Sequence, residues 1–261
     1  MKQNLAQYNS VEKALKILLS FQAERPFWGV RELAAHLGFS PATVQRILNS
    51  LKDSDFVVQD PEKRQYRLGN VYFQFLHALQ STYPFTRTAQ EFMRQLLYRT
   101  RETVHLNVIE NMERICIDHI ESPQNLKAAM PVGSRSPLYA GASSKCLLAF
   151  SPQPFIESVL NKIKLKPVTK NTIIDTRMLR LELDHIRKQG YAVSLGERNP
   201  GLGSISAPIM NYNGTLLASL SLAIPEIRYA DEDCRKKCIS ELVHTAREFS
   251  KAMGFQVSIK N

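Results

Sequence analysis

The side chains able to do covalent or metal chemistry fall in a few short stretches of this chain. Ser143-Ser144-Lys145-Cys146 sets two hydroxyls and a thiol beside an amine. A Ser–Lys catalytic pair needs both groups on one helix face, as the spacing Ser-x-x-Lys provides. Lys145 is instead adjacent to Ser144 and next but one to Ser143, and Cys146 has no identifiable His/Asp partner. Lys145 therefore reads as an anchor that ties its loop down through salt bridges or hydrogen bonds. Cys234 and Cys238 stand i, i+4 with His244 nearby, but no second pair completes a tetrahedral site. They read as small apolar residues at the core or its margin. His105 and His119 lie in β-prone runs, with Asp118 adjacent, and read as satisfied structural histidines. There is no phosphate-binding Walker loop, dinucleotide-binding glycine pattern or His-Glu-x-x-His helix. The expectation is no enzyme, no cofactor and no metal.

A different chemistry, recognition without reaction, is written in LGFSPATVQRILN, Leu37 to Asn49. Glu or Lys would suffice to make a surface helix soluble, yet the outward positions here are Ser40, Ala42, Thr43, Gln45, Arg46 and Asn49. Arg can take guanine O6 and N7 together, and Gln or Asn can do the same with adenine N6 and N7. Thr43 can reach a thymine methyl or a phosphate. Free N–H groups at a helix start are phosphate donors as well. No acidic residue that would repel DNA lies between Leu37 and Lys52. The predicted DNA-binding set is Ser40, Thr43, Gln45, Arg46 and Asn49, joined by Lys63 and Arg64.

Those residues need a frame. A helix is expected from an N-cap at Ser10, through Val11, Leu15, Leu18 and Phe21, until Pro26 and Gly29 break it. VRELAAHLG forms a second short helix stopped by Gly38. Ser40-Pro41 opens a third, with a hydroxyl cap and Pro at the first helical position. Within it Val44, Ile47, Leu48 and Leu51 make the inward stripe. Phe56-Val57-Val58 and Gln65-Tyr66-Arg67-Leu68 then pair across the Asp60-Pro61-Glu62-Lys63 turn. That is a hairpin with a basic tip, directly after a helix-turn-helix. Trp28 should cover this small core.

From Asn70 to Ser81 the pattern is helical and aromatic-rich, ending at Tyr83-Pro84. Beyond lie a helix near 86–101, three β-prone runs (TVHLNVI, RICIDHI and KAAMPV) and the short helix SSKCLLAF. Helices near 154–163 and 175–189 follow, and then the strands GSISAPIMN and TLLASLSLAI, joined at Tyr212-Asn213-Gly214. A closing helix near 231–253 buries Cys238, Ile239, Leu242, Val243, Ala246, Phe249 and Met253. The whole reads as α+β. Its expected parts are a winged helix-turn-helix domain at 1–69, a linker helix at 70–84 and an α+β effector domain at 85–261.

Composition sets the bounds. The 261 residues suffice for two domains, and a 44% hydrophobic share fills their cores. No apolar run is long enough to span a membrane. The first ten residues lack the apolar stretch of a signal peptide, so a cytoplasmic location is expected. Four cysteines without disulfide or zinc spacing fit a reducing compartment. The net charge of +10 favours an acidic partner, but only +3 of it falls in residues 1–84. Charge alone therefore does not locate a nucleic-acid surface.

These blocks resemble a known family. SVEKALKILLSF, VRELAAHLGFSPATVQRILNSL and YRLG are similar to the N-terminal domain of IclR-type bacterial transcriptional regulators. VGSRSPLYAGASSKCLLAF resembles that family's next block, matching at Gly133, Pro137, Leu138, Ala140, Lys145, Leu148 and Ala149. The segment 186–225 resembles the last, at Gly190, Tyr191, Glu197, Gly201, Ala207, Pro208 and Gly214.

The resemblance implies a winged helix-turn-helix and a GAF-like effector-binding domain, in a homodimer or homotetramer on a pseudopalindromic double-stranded operator. Two recognition helices would then lie roughly 34 Å apart or a multiple of it. It also implies a small organic or sugar acid as effector, with its carboxylate on the N–H groups of Ala142, Ser143 and Ser144. Further polar pocket positions fall on Ser194, Ser204, Ser221 and Ala223. Here Ser194 stands where several members carry an acid, Ser144 replaces the usual Gly and Cys146 the usual Ala, so one side of the pocket is less polar. Two other functions compete: an enzyme on the α+β domain with an N-terminal partner-binding module, and a nucleic-acid binder without sequence preference.

Overall fold

The computed structural model describes residues 8–22, 25–128 and 130–256. The expectations that run onto 1–7 and 257–261 lie outside the described residues. The chain divides into two compact units, Met1–Tyr83 and Pro84–Asn261.

The first unit begins with α1 (Ser10–Leu19), and its cap is Asn9 rather than the expected Ser10. Asn9 Oδ1 accepts from the Glu12 N–H at 3.0 Å, and Glu12 Oε2 accepts from the Asn9 N–H at 2.7 Å. This reciprocal box satisfies two end donors, whereas the Ser10 hydroxyl alone would satisfy one. The helix stops at Leu19, so Phe21 enters the core from beyond it. Next come α2 (Val30–Leu37) and α3 (Pro41–Asp53). Gly38, at φ 71°, turns the chain between them. This left-handed conformation costs glycine little and other residues more.

β1 (Val57–Gln59) and β2 (Tyr66–Leu68) pair antiparallel, Val58 opposite Arg67. Ile17, Trp28, Leu33, Val44, Leu48, Val57 and Tyr66 form one buried cluster. Trp28 closes it, its indole donating to the Ser20 carbonyl at 2.9 Å and its backbone bridging to Tyr66. The unit ends with α4 (Val71–Thr82), which leaves Phe73, Leu76 and Leu79 exposed.

The second unit starts with α5 (Phe85–Thr100), β3 (Thr103–Glu110), β4 (Glu113–Ile120), β5 (Arg135–Pro137) and α6 (Ala142–Ala149). Next are α7 (Gln153–Lys162), α8 (Thr176–Gln189), β6 (Ala192–Leu195), β7 (Leu202–Met210) and β8 (Leu216–Pro225). It closes with α9 (Glu226–Tyr229) and α10 (Glu232–Ala252). One antiparallel sheet runs β5-β4-β3-β8-β7-β6.

The expected third strand at KAAMPV is a correction. Its described residues lie outside any strand, Ala129 lies outside the described residues, and the partner of β4 is Arg135–Pro137. Pro131 has no N–H to give a ladder. Gly133, at φ 82°, then turns the chain before pairing starts. The short edge strand β6 had no expectation.

On α10 the buried side is Cys238, Leu242, Thr245, Ala246, Phe249 and Ser250, with Ile239, Val243 and Met253 half-buried. Every residue of α6 is buried, against β7, β8, β6 and α8. A helix buried all round must satisfy its polar side chains internally. Ser144 does so on the Ser136 hydroxyl at 3.1 Å, and Lys145 on two carboxylates.

Candidate functional site

The sequence-marked residues of the first unit lie on α3 and on the β1–β2 tip. Ser40 Oγ caps α3, accepting from the Thr43 N–H at 3.2 Å and lying 2.8 Å from the Thr43 hydroxyl. Arg46 and Asn49 are exposed on the face opposite Val44, Ile47 and Leu48. Gln45 is half-buried, and its amide donates to Asn49 Oδ1 at 2.9 Å and to the Tyr66 hydroxyl at 3.0 Å. Tyr66 is fully buried, so the hairpin holds one amide of the helix in a fixed orientation. The sequence marks Tyr66 as a strand residue only. Its hydroxyl has no sequence signal, because the contact joins residues 21 apart.

At the tip, Asp60 Oδ1 accepts from the N–H groups of Lys63 at 2.8 Å and Glu62 at 2.9 Å. The Lys63 bond foremost holds that carboxyl below its ordinary range. The turn leaves Lys63 and Arg64 exposed, with Arg64 in the left-handed region at φ 55°. What this surface offers is a row of donors and amides flanked by two cations.

The second unit holds a small cavity of about 50 Å³ that opens to solvent. Ala142, Ser143, Ser194, Ser204 and Ala223 line it together, from α6, β6, β7 and β8. Ser144 and Ser221 do not reach it. Ser144 turns to Ser136. Ser221 shares the face of Ala223 but lies one step further along β8, where it meets Asn107 at 3.2 Å and Ser206 at 2.8 Å. Gly203 also lines it, and a side chain is excluded there because a Cβ would stand 2.1 Å from the Tyr229 ring.

The start of α6 is held from within the protein. Glu197 Oε2 accepts from the Gly141 N–H and Ser194 Oγ from the Ala142 N–H, both at 3.0 Å. Lys145 lies 2.6 Å from Glu197 and 2.7 Å from Glu182, which is the anchoring expected of it. Cavity residues without a sequence expectation include Met130, Glu197, Arg198 and Asn199. Glu197 matched the family pattern without being given a role, and Arg198 beside it had only its charge as a signal.

The remaining candidates sort by burial. Burial pushes the Cys146 thiol up to about 12, so it carries no thiolate at neutral pH. Among the described residues no group of three His, Cys, Asp or Glu is placed to hold a metal. The two histidines correct the expectation of full satisfaction. Their rings stack at 5.9 Å, and His105 Nε2 accepts from the Met130 N–H at 3.1 Å. Nδ1 of each has no partner among the described residues. Burial first, then the charges of His119 and Arg198, press His105 down to about 3. No described helix is long and apolar enough to cross a membrane.

Comparison with known proteins matches both units. Residues 10–61 match the IclR helix-turn-helix domain, and residues 77–251 match the bacterial transcriptional regulator IclR C-terminal family. The HTH-type transcriptional regulator KdgR of Dickeya chrysanthemi is 34% identical over 248 residues, 95% of this chain and 80% of that protein. The crystal structure of the Thermotoga maritima IclR superposes with a TM-score of 0.81 at 28% identity, covering 95% of this chain and 99% of that one. An IclR homolog from Microbacterium hydrocarbonoxydans, solved in complex with 4-hydroxybenzoate, shares the fold. Its TM-score is 0.76 at 20% identity, over 94% of this chain and 99% of that one.

Proposed function

For a chain that belongs to the IclR family of bacterial transcriptional regulators, we propose that α3 and its hairpin read a pseudopalindromic operator under the control of a small organic or sugar acid. The chain is a DNA-binding transcriptional regulator, not an enzyme. We assign its regulated genes to a catabolic operon.

One observation carries the DNA half. Arg46 and Asn49 project from α3 beside an amide already fixed by Tyr66, with Lys63 and Arg64 exposed on the hairpin next in sequence. Base contacts then give selectivity and phosphate contacts give affinity. The effector half is supported by a cavity that gathers five of the expected residues from four elements. The fold relative bound to 4-hydroxybenzoate shows that this architecture accommodates a small acid in another protein.

A second copy of the chain completes the reading. Val11, Leu15 and Leu19 are exposed at i, i+4, i+8 along α1, and Phe73, Leu76 and Leu79 are exposed on α4. Apolar stripes of this kind mark association surfaces. The pairing we propose is a homodimer, or a homotetramer built from it, with one recognition helix per half-site.

Binding to operator libraries at several salt concentrations tests the DNA half. Arg46→Ala is expected to lose about 1–3 kcal/mol of preference at one base position per half-site. Lys63→Ala is expected to weaken every sequence alike and lower the salt slope by about one. Unchanged selectivity in Arg46→Ala would remove α3 from the interface.

A further inference from the structure

We propose that the outer face of α8, with the loop before it, is a docking surface for another protein, one that offers an amphipathic helix with an acidic rim. The inference stands apart from the operator and effector readings and uses none of their residues.

Of the net +10, +7 lies beyond residue 84, away from α3 and its hairpin. Most of it sits in one stretch. Residues 162–188 hold eight Lys and Arg against three Asp and Glu, a balance of +5. Two of the eight are occupied, Arg180 in an ion pair with Glu157 at 2.6 Å and Arg187 on the carbonyls of Ala149 and Ser151. The other six are Lys162, Lys164, Lys166, Lys170, Arg177 and Lys188. All are exposed, and none forms an ion pair with an acid among the described residues.

The local fold turns these cations outward. Ile163 and Leu165 pack onto the core, so Lys164 and Lys166, alternating with them, face solvent. The loop is tied down: Thr169 and the buried Thr172 give their hydroxyls to the Gly196 and Glu197 carbonyls, each at 2.6 Å. On α8 the inward side is Leu179, Leu183 and Ile186. Met178 and Leu181 stand on the outer side and Ile174 just ahead of the helix, all three more than half exposed. Val168 is exposed on the loop. An apolar centre within a charged rim is the anatomy of a protein interface.

Charge selects the occupant. A second copy in a two-fold contact would bring its own lysines against these, and like charges facing one another disfavour the pairing. The stripe on α4, which carries no Asp, Glu, Lys or Arg, has no such bar. A nucleic-acid backbone would use the cations but gain nothing from Ile174, Met178 and Leu181. A helix with apolar residues at i, i+3 or i+4 and i+7, flanked by Asp and Glu, answers both features. Met178 suits such a contact, because an unbranched thioether repacks around different side chains.

The test titrates the full-length protein with a fluorescent synthetic helix that has a leucine stripe rimmed by Glu. Two matched helices serve as controls, one with Gln for Glu and one with the stripe scrambled at equal charge. Anisotropy is expected to show binding that weakens with salt, with both controls weaker by about tenfold or more. Lys164→Glu with Lys166→Glu and Lys170→Glu should weaken the acidic helix by about tenfold. Met178→Ser with Leu181→Ser should do the same, and operator affinity should hold in both. Should the triple reversal fail to fold by circular dichroism, Lys164→Gln, Lys166→Gln and Lys170→Gln carry the comparison.

A scrambled helix that binds as well as the parent reduces the surface to a charge patch and overturns the proposal. Competition by non-operator duplex, lost in the triple reversal, assigns the face to nucleic acid and overturns it too. A lower assembly mass in Met178→Ser with Leu181→Ser, at unchanged helix binding, assigns it to a second copy instead. In cells, a photo-cross-linking residue at position 181 is expected to reach an acidic amphipathic segment of another protein. Cross-links confined to this chain or to nucleic acid sink the assignment.

Discussion

His105 shows how one side chain sets a pH limit on the second unit. Its folded value is about 3 against an ordinary 6.5. Between those values the unfolded chain binds a proton that the folded chain refuses, so stability falls as pH falls. Above about 6.5 both states are neutral and the contribution is flat. Urea unfolding is expected to give a midpoint that drops from about pH 7.5 to about pH 5. His105→Gln should flatten that drop, since its amide oxygen can still accept from Met130. An unchanged slope in the variant would assign the pH dependence to other groups.

At this scale the sequence was informative about type more than about partners. Gln45 and Arg46 stood out because their chemistry exceeds what solubility needs. The Tyr66 hydroxyl beneath Gln45 did not. That contact joins residues 21 positions apart, and no local pattern encodes it.

Among the elements, α6 depends most on its polar residues. With all eight positions buried, Lys145 is the charge that reconciles Glu182 and Glu197. Lys145→Met keeps much of the volume but leaves two carboxylates facing each other without a cation. The expected cost is about 3–5 kcal/mol, seen as a lower denaturation midpoint of the second unit. Glu182→Gln should cost less, because the half-exposed Glu182 is the weaker-held partner. Equal losses would mean that Glu197 alone does not hold the lysine.

The element boundaries were legible wherever local chemistry is decisive. Ser40-Pro41, Gly38 and the Asn213-Gly214 turn each act within a few residues. KAAMPV failed for the complementary reason: its β-prone composition is overruled by Pro131 and by the left-handed Gly133 just after it. The short β6 pairs only with β7 and carries too few residues for alternation to register.

For the whole molecule, the exposed stripes on α1 and α4 predict association. Sedimentation equilibrium is expected to show a dimer or tetramer. Leu15→Glu combined with Leu76→Glu should shift it toward monomer and weaken operator binding more than half-site binding. A monomeric wild type with full operator affinity would rule out the paired half-site arrangement. The division near Tyr83-Pro84 was legible because helical periodicity ends there at a proline. The closing of a cavity by α6, β6, β7 and β8 was not, since it exists only once the sheet has formed.

The outer strands of that sheet have a consequence for crowding. β5 is three residues long, ends in Pro137 and carries Arg135 in ion pairs with Glu110 and Glu113. At the far border, the Asn171 amide occupies the Leu195 carbonyl at 3.2 Å. Neither border presents a long free ladder for a neighbour to extend, and natural sheets blunt their margins by such means. Copies crowded together are therefore guarded against fusing sheet to sheet into fibres.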